Sequence, residues 1–156
     1  MFQTLLSIHV VAAIMAFGPT FTFPILGMLA NKYPAAEHVL ITAIKKISQG
    51  MGVPIGLVQG LTGVLLIVNR NIDVSKNAWL GVSIILYVAA MAAAALHQLP
   101  GTRRVIDLTT PGSDIAANRA EITAISRRLR LVNVATLTAI VLIAVLMVWK
   151  PGLTTT

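Results

Sequence analysis

Three histidines and a few hydroxyl and amide side chains are the residues of this chain that could bind or transform a ligand. Cysteine is absent, which excludes disulfides, thiolate nucleophiles, iron–sulfur clusters and cysteine-type zinc sites. His9 and Met147 form the pair with the clearest chemistry, because a histidine and a methionine can hold haem iron from its two axial sides. The alternative for His9 is a neutral histidine that hydrogen-bonds to a neighbouring carbonyl or hydroxyl group.

The other two histidines predict less. His97 is expected near the end of the hydrophobic bundle opposite to His9, so the two cannot ligate one haem within a monomer. His38 and His97, with Glu37 beside the former, could hold a surface metal ion, although their spacing matches no established ligand motif. Simple interfacial histidines are the alternative.

The sequence lacks the motifs that are typical of soluble enzymes and of ion-driven transporters. The sequence has no glycine-rich phosphate loop, no paired carboxylates and no identifiable nucleophile beside a base. No charged side chain interrupts the hydrophobic segments, so the usual proton relays and ion-coupling sites of pumps and secondary transporters lack their parts. The sequence therefore favours a non-catalytic protein.

The elements that carry these residues are long hydrophobic helices. Hydrophobic residues make up 56% of the 156 residues and charged residues 11%, against roughly 25% charged in an average soluble domain. A bilayer core about 30 Å thick needs about 20 apolar residues per crossing helix. Four runs meet this requirement, at about residues 3–29, 51–69, 78–98 and 130–149. We expect one all-α domain over residues 1–156, an integral membrane bundle of four transmembrane helices.

The basic residues predict how the chain crosses the membrane, because lysine and arginine stay on the cytoplasmic side. Of the 12 basic residues, nine lie between spans one and two or between spans three and four. Both termini are therefore expected outside the cytoplasm, in a multi-pass protein of the bacterial inner membrane. Arg127, Arg128 and Arg130 are expected to form a lipid-facing basic cluster at the anionic inner leaflet. The net charge of +7 thus indicates a lipid bilayer as partner rather than nucleic acid.

Helices two and four are expected to extend into the cytoplasm. An apolar helical stripe over residues 34–49 leads into span two, formed by Leu40, Ile44, Ile47 and Met51, with Glu37 on another face. The pair of Asn118 and Glu121 resembles a capping box that starts the fourth helix before its hydrophobic run.

Proline and glycine predict one kink and one loop. Gly18, Pro19 and Pro24 lie inside span one, where missing backbone hydrogen bonds predict a kink or a short unwound segment. Pro100, Gly101, Pro111 and Gly112 interrupt residues 100–114, which indicates the main part of a cytoplasmic loop over about residues 100–126.

Small residues on span two predict close helix contacts. Gly52, Gly56 and Gly60 form two overlapping GxxxG patterns, and Gly63 and Gln59 extend the same stripe. The pattern leaves open whether the partner helix belongs to the same chain. We expect Gly56→Leu to disrupt packing or assembly.

The first helix carries a resemblance to known membrane proteins. The segment from Leu5 to Leu29, with Leu-Ser-Ile-His9, Phe17-Gly18 and Pro24, resembles a broad group of small bacterial four-helix membrane proteins. That group includes the copper-resistance protein D type, the haem-dependent protoporphyrinogen oxidase type and a nearer, uncharacterised predicted integral membrane family. The resemblance to the oxidase type implies that His9 is a haem ligand. An arginine follows the proline in the oxidase type, whereas Ile25 follows Pro24 here.

Three functions are compatible with these patterns. The first is a non-catalytic membrane-embedded binding module for haem or another small ligand, with His9 as the contact residue. The second is an accessory or assembly subunit of a membrane complex, or a homo-oligomer, that uses the glycine stripe of span two. The third is a passive permeation protein.

Overall fold

The computed structural model describes residues 1–150 as helices joined by short turns, with no strand in that range. The helices are α1 (Phe2–Phe17), α2 (Phe23–Lys32), α3 (Glu37–Ile47), α4 (Val53–Asn69), α5 (Ala78–Ala93), α6 (Leu99–Leu108) and α7 (Ile115–Trp149). Short 3₁₀ or π segments continue several of them, so that the described chain forms four rods: Phe2–Lys32, Pro34–Asn69, Ala78–Leu108 and Ile115–Trp149. Each rod is long and apolar enough to cross a membrane, and we call them spans one to four. The all-α bundle of four transmembrane helices is confirmed.

Span one changes its helical geometry where its prolines predicted a kink. A 3₁₀ segment over Gly18–Thr22 separates α1 from α2. Pro19 and Pro24 have no backbone N–H to donate, so the regular i→i−4 ladder is interrupted here. The Thr22 hydroxyl donates to the carbonyl oxygen of Pro19 at 2.7 Å, which satisfies an acceptor in the interrupted region.

Spans two and three each contain a π segment shortly before a proline. Ser48–Gly52 lies before Pro54, and Ala94–Gln98 lies before Pro100. A proline ring clashes with the carbonyl group four residues earlier, and a wider π turn at that point relieves the clash. Both helices therefore continue through their proline.

The prediction of a loop over residues 100–126 is wrong for most of its length. Pro100 and Gly101 lie in the first turn of α6, which continues span three to Leu108. The fourth helix begins at Ile115, so only residues 109–114 connect the two helices. Its N-cap is Asp114, whose carboxylate accepts the backbone N–H of Ala117 at 3.0 Å. The helix therefore starts before the predicted capping box at Asn118.

The buried face of α3 overlaps the predicted stripe only in part, because Leu40 and Ile44 of that stripe are half-buried against the core. Ile41 is buried at 8% exposure and Glu37 at 3% exposure, whereas Met51 of the predicted stripe is 38% exposed. Glu37 is buried because the Arg119 Nη1 atom donates to its Oε2 atom at 2.8 Å. This ion pair joins α3 to α7.

The bundle has two unlike ends. At one end, which we call the basic end, α2, α3, α6 and the first half of α7 pack around a core of Ala30, Ile41, Val105, Leu108 and Ile122. At the opposite end, the Arg70 guanidinium stacks 3.7 Å from the Phe2 ring and the Lys150 ammonium lies 5.9 Å from the Trp79 ring. Both described ends of the chain therefore lie beside the turn between spans two and three. Asp73 in that turn accepts a hydrogen bond from the Ser75 hydroxyl, which lowers the pKa of its carboxyl.

Candidate functional site

His9 lies in a polar contact between α1 and α4. Its Nδ1 atom is 3.0 Å from the Thr62 Oγ1 atom, and its Nε2 atom is 3.4 Å from the Gln59 Nε2 atom. The Thr62 hydroxyl donates to carbonyl oxygens of its own helix, at 2.9 Å for Gln59 and 3.0 Å for Val58. Both ring nitrogens of His9 therefore lie within hydrogen-bond distance of a polar side chain on α4.

The surroundings of His9 are tightly packed. A Cβ atom at Gly63 would lie 3.1 Å from the Cε1 atom of His9, so the ring is seated directly against that glycine. The Oε1 atom of Gln59 is buried and has no hydrogen-bond partner among the described residues. The contact has the properties of the neutral, hydrogen-bonded histidine that was the alternative interpretation.

The residues around His9 do not fit a haem. The Nε2 atom, which would have to face the iron, faces the Gln59 amide. The α1 helix packs mainly against α4, whereas α7 with Met147 packs mainly against α5 and α6, so the two residues share no main packing interface. Neither of the two cavities described below is lined by His9. Haem ligation by His9 and Met147 stays a prediction.

The glycine stripe of span two is used inside the chain. A Cβ atom at Gly60 would overlap the Tyr87 hydroxyl, and one at Gly56 would lie 3.3 Å from the Met91 Sδ atom, so both glycines face α5. The Tyr87 hydroxyl donates to the Gly56 carbonyl oxygen at 2.8 Å. Gly63 faces α1, and Gly52 also faces α1 at a looser 3.8 Å. The partner helices that the sequence left open are therefore α1 and α5 of the same chain, and a homo-oligomer stays a prediction.

A cavity of about 300 Å³ lies at the basic end between α2, α3, α6 and α7. Its walls combine apolar side chains such as Phe23, Ile41 and Ile44 with those of two arginines, Arg127 and Arg130. We call it the arginine cavity. Among residues 1–150, no carboxylate pairs with either of these arginines.

The polar lining of the arginine cavity comes mainly from one face of α7. Thr123, Ser126, Arg127, Arg130 and Asn133 follow each other at intervals of three, one, three and three residues, which places them on one side of a helix. Asn133 is only 9% exposed, and its Oδ1 atom is buried without a hydrogen-bond partner among the described residues. An unpaired buried amide oxygen costs free energy unless a ligand or a water molecule donates a hydrogen bond to it.

The exposed part of the lining shows where the cavity opens. Met28 and Asn31 on α2 and Arg127 and Arg130 on α7 are exposed, whereas the lining residues of α3 and α6 are buried or half-buried. The mouth therefore lies between α2 and α7, on the side of the bundle. The carboxylate of Glu37 in the wall is already paired with Arg119, so the free charge at the cavity is positive.

The third arginine of the predicted lipid-facing cluster lies elsewhere. The Nη2 atom of Arg128 donates to the Nδ1 atom of His97 at 3.1 Å, whereas Arg127 and Arg130 line the cavity. His38 Nδ1 lies 3.3 Å from the Thr109 hydroxyl. Residues 1–150 contain no group of three histidine, cysteine or acidic side chains that could hold a metal ion, so Glu37, His38 and His97 do not come together there as a metal site.

A second, smaller cavity of about 40 Å³ lies at the level of the 3₁₀ and π segments. Its polar lining includes Thr20, Ser48 and Thr136. Phe23 and Gln98 line both this cavity and the arginine cavity, so they form the partition between the two.

Sequence reasoning missed the arginine cavity, although its signal is present. The polar face from Thr123 to Asn133 continues without a break from the charged part of α7 into its hydrophobic part. Arginines near a membrane surface are explained equally well as anchors to lipid headgroups. Only the packing of α2 and α3 beside this face distinguishes a cavity wall from an outer surface.

The chain matches the model of a protein family. The model of a family described as "Predicted integral membrane protein (DUF2269)" matches residues 3–151. Neither the curated proteins nor the solved structures contain a match to this chain. The match supports an uncharacterised membrane family, whereas the relation to the copper-resistance protein D and haem-dependent oxidase types stays a prediction. With four membrane-length helices and a family match over nearly its whole length, the chain belongs to this family of integral membrane proteins.

Proposed function

We propose that this protein is a non-catalytic, membrane-embedded binding module that takes a small amphiphilic ligand into the arginine cavity. The observation that carries the proposal is the combination of about 300 Å³ of space with the lining residue Asn133, whose amide oxygen is buried and unpartnered among the described residues. Ligand sites are concave, mostly apolar and supplied with a few directed polar groups. The arginine cavity has all three properties.

The charges favour an anionic group on the ligand. Arg127 and Arg130 have no protein carboxylate as partner within residues 1–150, and a guanidinium binds carboxylate or phosphate with two parallel hydrogen bonds. The apolar wall around Phe23 and Ile41 would receive the hydrophobic part of the same molecule. With the predicted orientation, the mouth between α2 and α7 lies at the cytoplasmic leaflet of the bacterial inner membrane.

In this proposal the binding site lies at the polar face of α7 and no longer at His9. Both ring nitrogens of His9 already have hydrogen-bond partners, at 3.0 and 3.4 Å, inside a close helix contact. The guanidinium groups of the arginine cavity, in contrast, have no partner of opposite charge within residues 1–150.

A cavity-filling substitution tests the proposal. A Cβ atom at Gly27 meets nothing within 4 Å, and Gly27 lines the cavity. Gly27→Trp should therefore fill the space without a backbone clash. We expect dansyl-labelled undecanoic acid to bind the wild-type protein in detergent saturably, and the substitution to weaken its Kd at least about tenfold.

Gly50→Trp is the matched control, because a Cβ atom at Gly50 is equally free and this glycine lies outside the cavity. It should bind the probe as the wild type does. Equal affinity of the Gly27→Trp variant and the wild type, or no saturable binding by the wild type, would overturn the proposal.

A further inference from the structure

We infer that the ligand of the arginine cavity is an ester-linked anionic phospholipid, held by its phosphate at Arg127 and Arg130 and by an ester carbonyl at Asn133. The inference rests on the proposed function and adds the chemical class of the ligand. Three features carry it: the side opening of the cavity, its unpaired positive charge and the depth of the unpartnered amide.

The side opening indicates a ligand that arrives from the bilayer. The mouth lies between α2 and α7, where Met28 is 61% exposed. The helices beside it carry exposed aliphatic side chains, for example Ile25 at 55% and Leu131 at 63%. In a membrane these side chains face acyl chains, so the acyl chain of a lipid can lie along the outer surface of α2 and α7 while its headgroup occupies the cavity.

The positive charge at the mouth favours a lipid with a negatively charged headgroup. Glu37 is the acidic residue of the lining, and its Oε2 atom lies 2.8 Å from Arg119, so it does not neutralise the two cavity arginines. Two guanidinium groups three residues apart on one helix face can share the oxygens of one phosphodiester. A neutral headgroup would leave both cations without a counter-charge.

The Asn133 amide fixes the depth of the next polar group. Asn133 follows Arg130 by three residues on α7, which is an axial distance of about 4.5 Å toward the middle of the bundle. In a glycerophospholipid the ester carbonyls lie just below the phosphate, separated from it by the glycerol carbons. The Oδ1 atom of this amide is buried and has no hydrogen-bond partner among the described residues. Since its nitrogen and oxygen exchange places by rotation, the nitrogen can donate to that carbonyl.

Native mass spectrometry of the purified protein with defined lipids tests the inference. Phosphatidylglycerol should bind at least about tenfold more tightly than diacylglycerol of the same chains, because only the former has a phosphate. Arg127→Gln and Arg130→Gln should remove most of this preference. Arg128→Gln is the matched control, since Arg128 hydrogen-bonds to His97 outside the cavity lining, and it should keep the preference.

An ether-linked phosphatidylglycerol isolates the role of Asn133. It has the same phosphate and chains but no ester carbonyl, so the wild type should bind it about threefold more weakly than the ester lipid, the loss typical of one hydrogen bond inside a membrane protein. Asn133→Leu should bind both lipids equally. If the Asn133→Leu variant does not fold, the comparison of the ester and ether lipids on the wild-type protein still tests whether an ester carbonyl is bound.

The remaining outcomes separate the inference from the proposed function. Glycerol phosphate, which has the phosphate without chains, should not displace the lipid at millimolar concentration; displacement would assign the site to a soluble phosphate and overturn the lipid class. Equal binding of phosphatidylglycerol and diacylglycerol, while Gly27→Trp still blocks the dansyl probe, would overturn the inference and leave the proposed function standing.

Discussion

Single small residues decide how closely the helices of this bundle approach one another. Inside a membrane, helix association depends on packing and hydrogen bonds rather than on removal of apolar surface from water. Gly60 lets the Tyr87 ring lie against the backbone of α4, from which the hydroxyl reaches the Gly56 carbonyl. Gly63 does the same for the His9 ring. The aromatic and imidazole rings thus occupy the space that glycine leaves free.

Gly60→Ala tests this packing. The added Cβ atom would overlap the Tyr87 hydroxyl and lie 2.9 Å from its Cζ atom, so a rigid ring has to move and its hydrogen bond is lost. We expect a loss of about 1–3 kcal/mol in the free energy of unfolding, measured in detergent.

Gly81→Ala is the control for that prediction. A Cβ atom at Gly81 meets Val74 at an ordinary 4.0 Å, and alanine favours a helix over glycine. It should leave stability unchanged or raise it. If the Gly60 variant melts at the same temperature as this control, the close contact between Gly60 and Tyr87 does not contribute to the stability of the bundle.

At the scale of elements, the breaks in spans one to three determine the form of the basic end. Span one contains a 3₁₀ segment, and spans two and three contain π segments, all at the level of the smaller cavity. Each break follows from a nearby proline, which removes a donor and crowds a carbonyl. The helices continue beyond the breaks as α2, α3 and α6, and together with α7 they enclose the arginine cavity.

The ion pair between α3 and α7 should hold this end together. Arg119→Leu would leave the buried Glu37 carboxylate, with 4% of its side chain exposed, without its partner. Breaking a buried pair in this way costs about 3–5 kcal/mol. Since the Arg119 side chain is itself 45% exposed, we expect the lower value, about 3 kcal/mol, in chemical unfolding.

Arg104→Leu provides the comparison, because its pair with Glu121 has the same N–O distance of 2.8 Å but side chains that are 55% and 45% exposed. An exposed pair contributes at most about 1 kcal/mol. Equal losses for the two variants would mean that the burial of Glu37 does not matter for the stability of the bundle.

At the scale of the whole molecule, the unequal ends of the bundle predict its direction in the membrane. Nine of the 12 lysines and arginines belong to the segments that build the basic end. The opposite end holds Arg70, Lys76 and Lys150. Because basic residues remain in the cytoplasm, the arginine cavity is predicted to face the cytoplasmic leaflet.

Single cysteines can test this orientation, because the native chain contains none. Thr110→Cys places a thiol in the turn between spans three and four, and Ser75→Cys places one in the turn between spans two and three; both positions are exposed. In intact cells a membrane-impermeant maleimide should label the Ser75 variant only. Labelling of the Thr110 variant before the cells are permeabilised would reverse the predicted direction.

Much of the fold could be predicted from single segments of the sequence. The four spans follow from hydropathy and length, because a chain in lipid must satisfy its backbone hydrogen bonds within each helix. The change of helical geometry at Pro19 was predictable because proline has no backbone N–H group to donate. The outcome at Pro100 was not, because a π segment upstream allows the helix to continue and the sequence shows no sign of it.

The candidate site depended on contacts that no segment contains. Glu37 is buried because Arg119 lies beside it, and the two are 82 residues apart in the chain. Arg127 and Arg130 line a cavity because α2 and α3 pack next to that face of α7. The sequence by itself determined that the chain lies in a membrane, how many helices cross it and how the charges are distributed, since each of these depends on single segments and the solvent around them. Tertiary structure alone decided which polar side chains face each other across helices, because that choice depends on how distant segments pack.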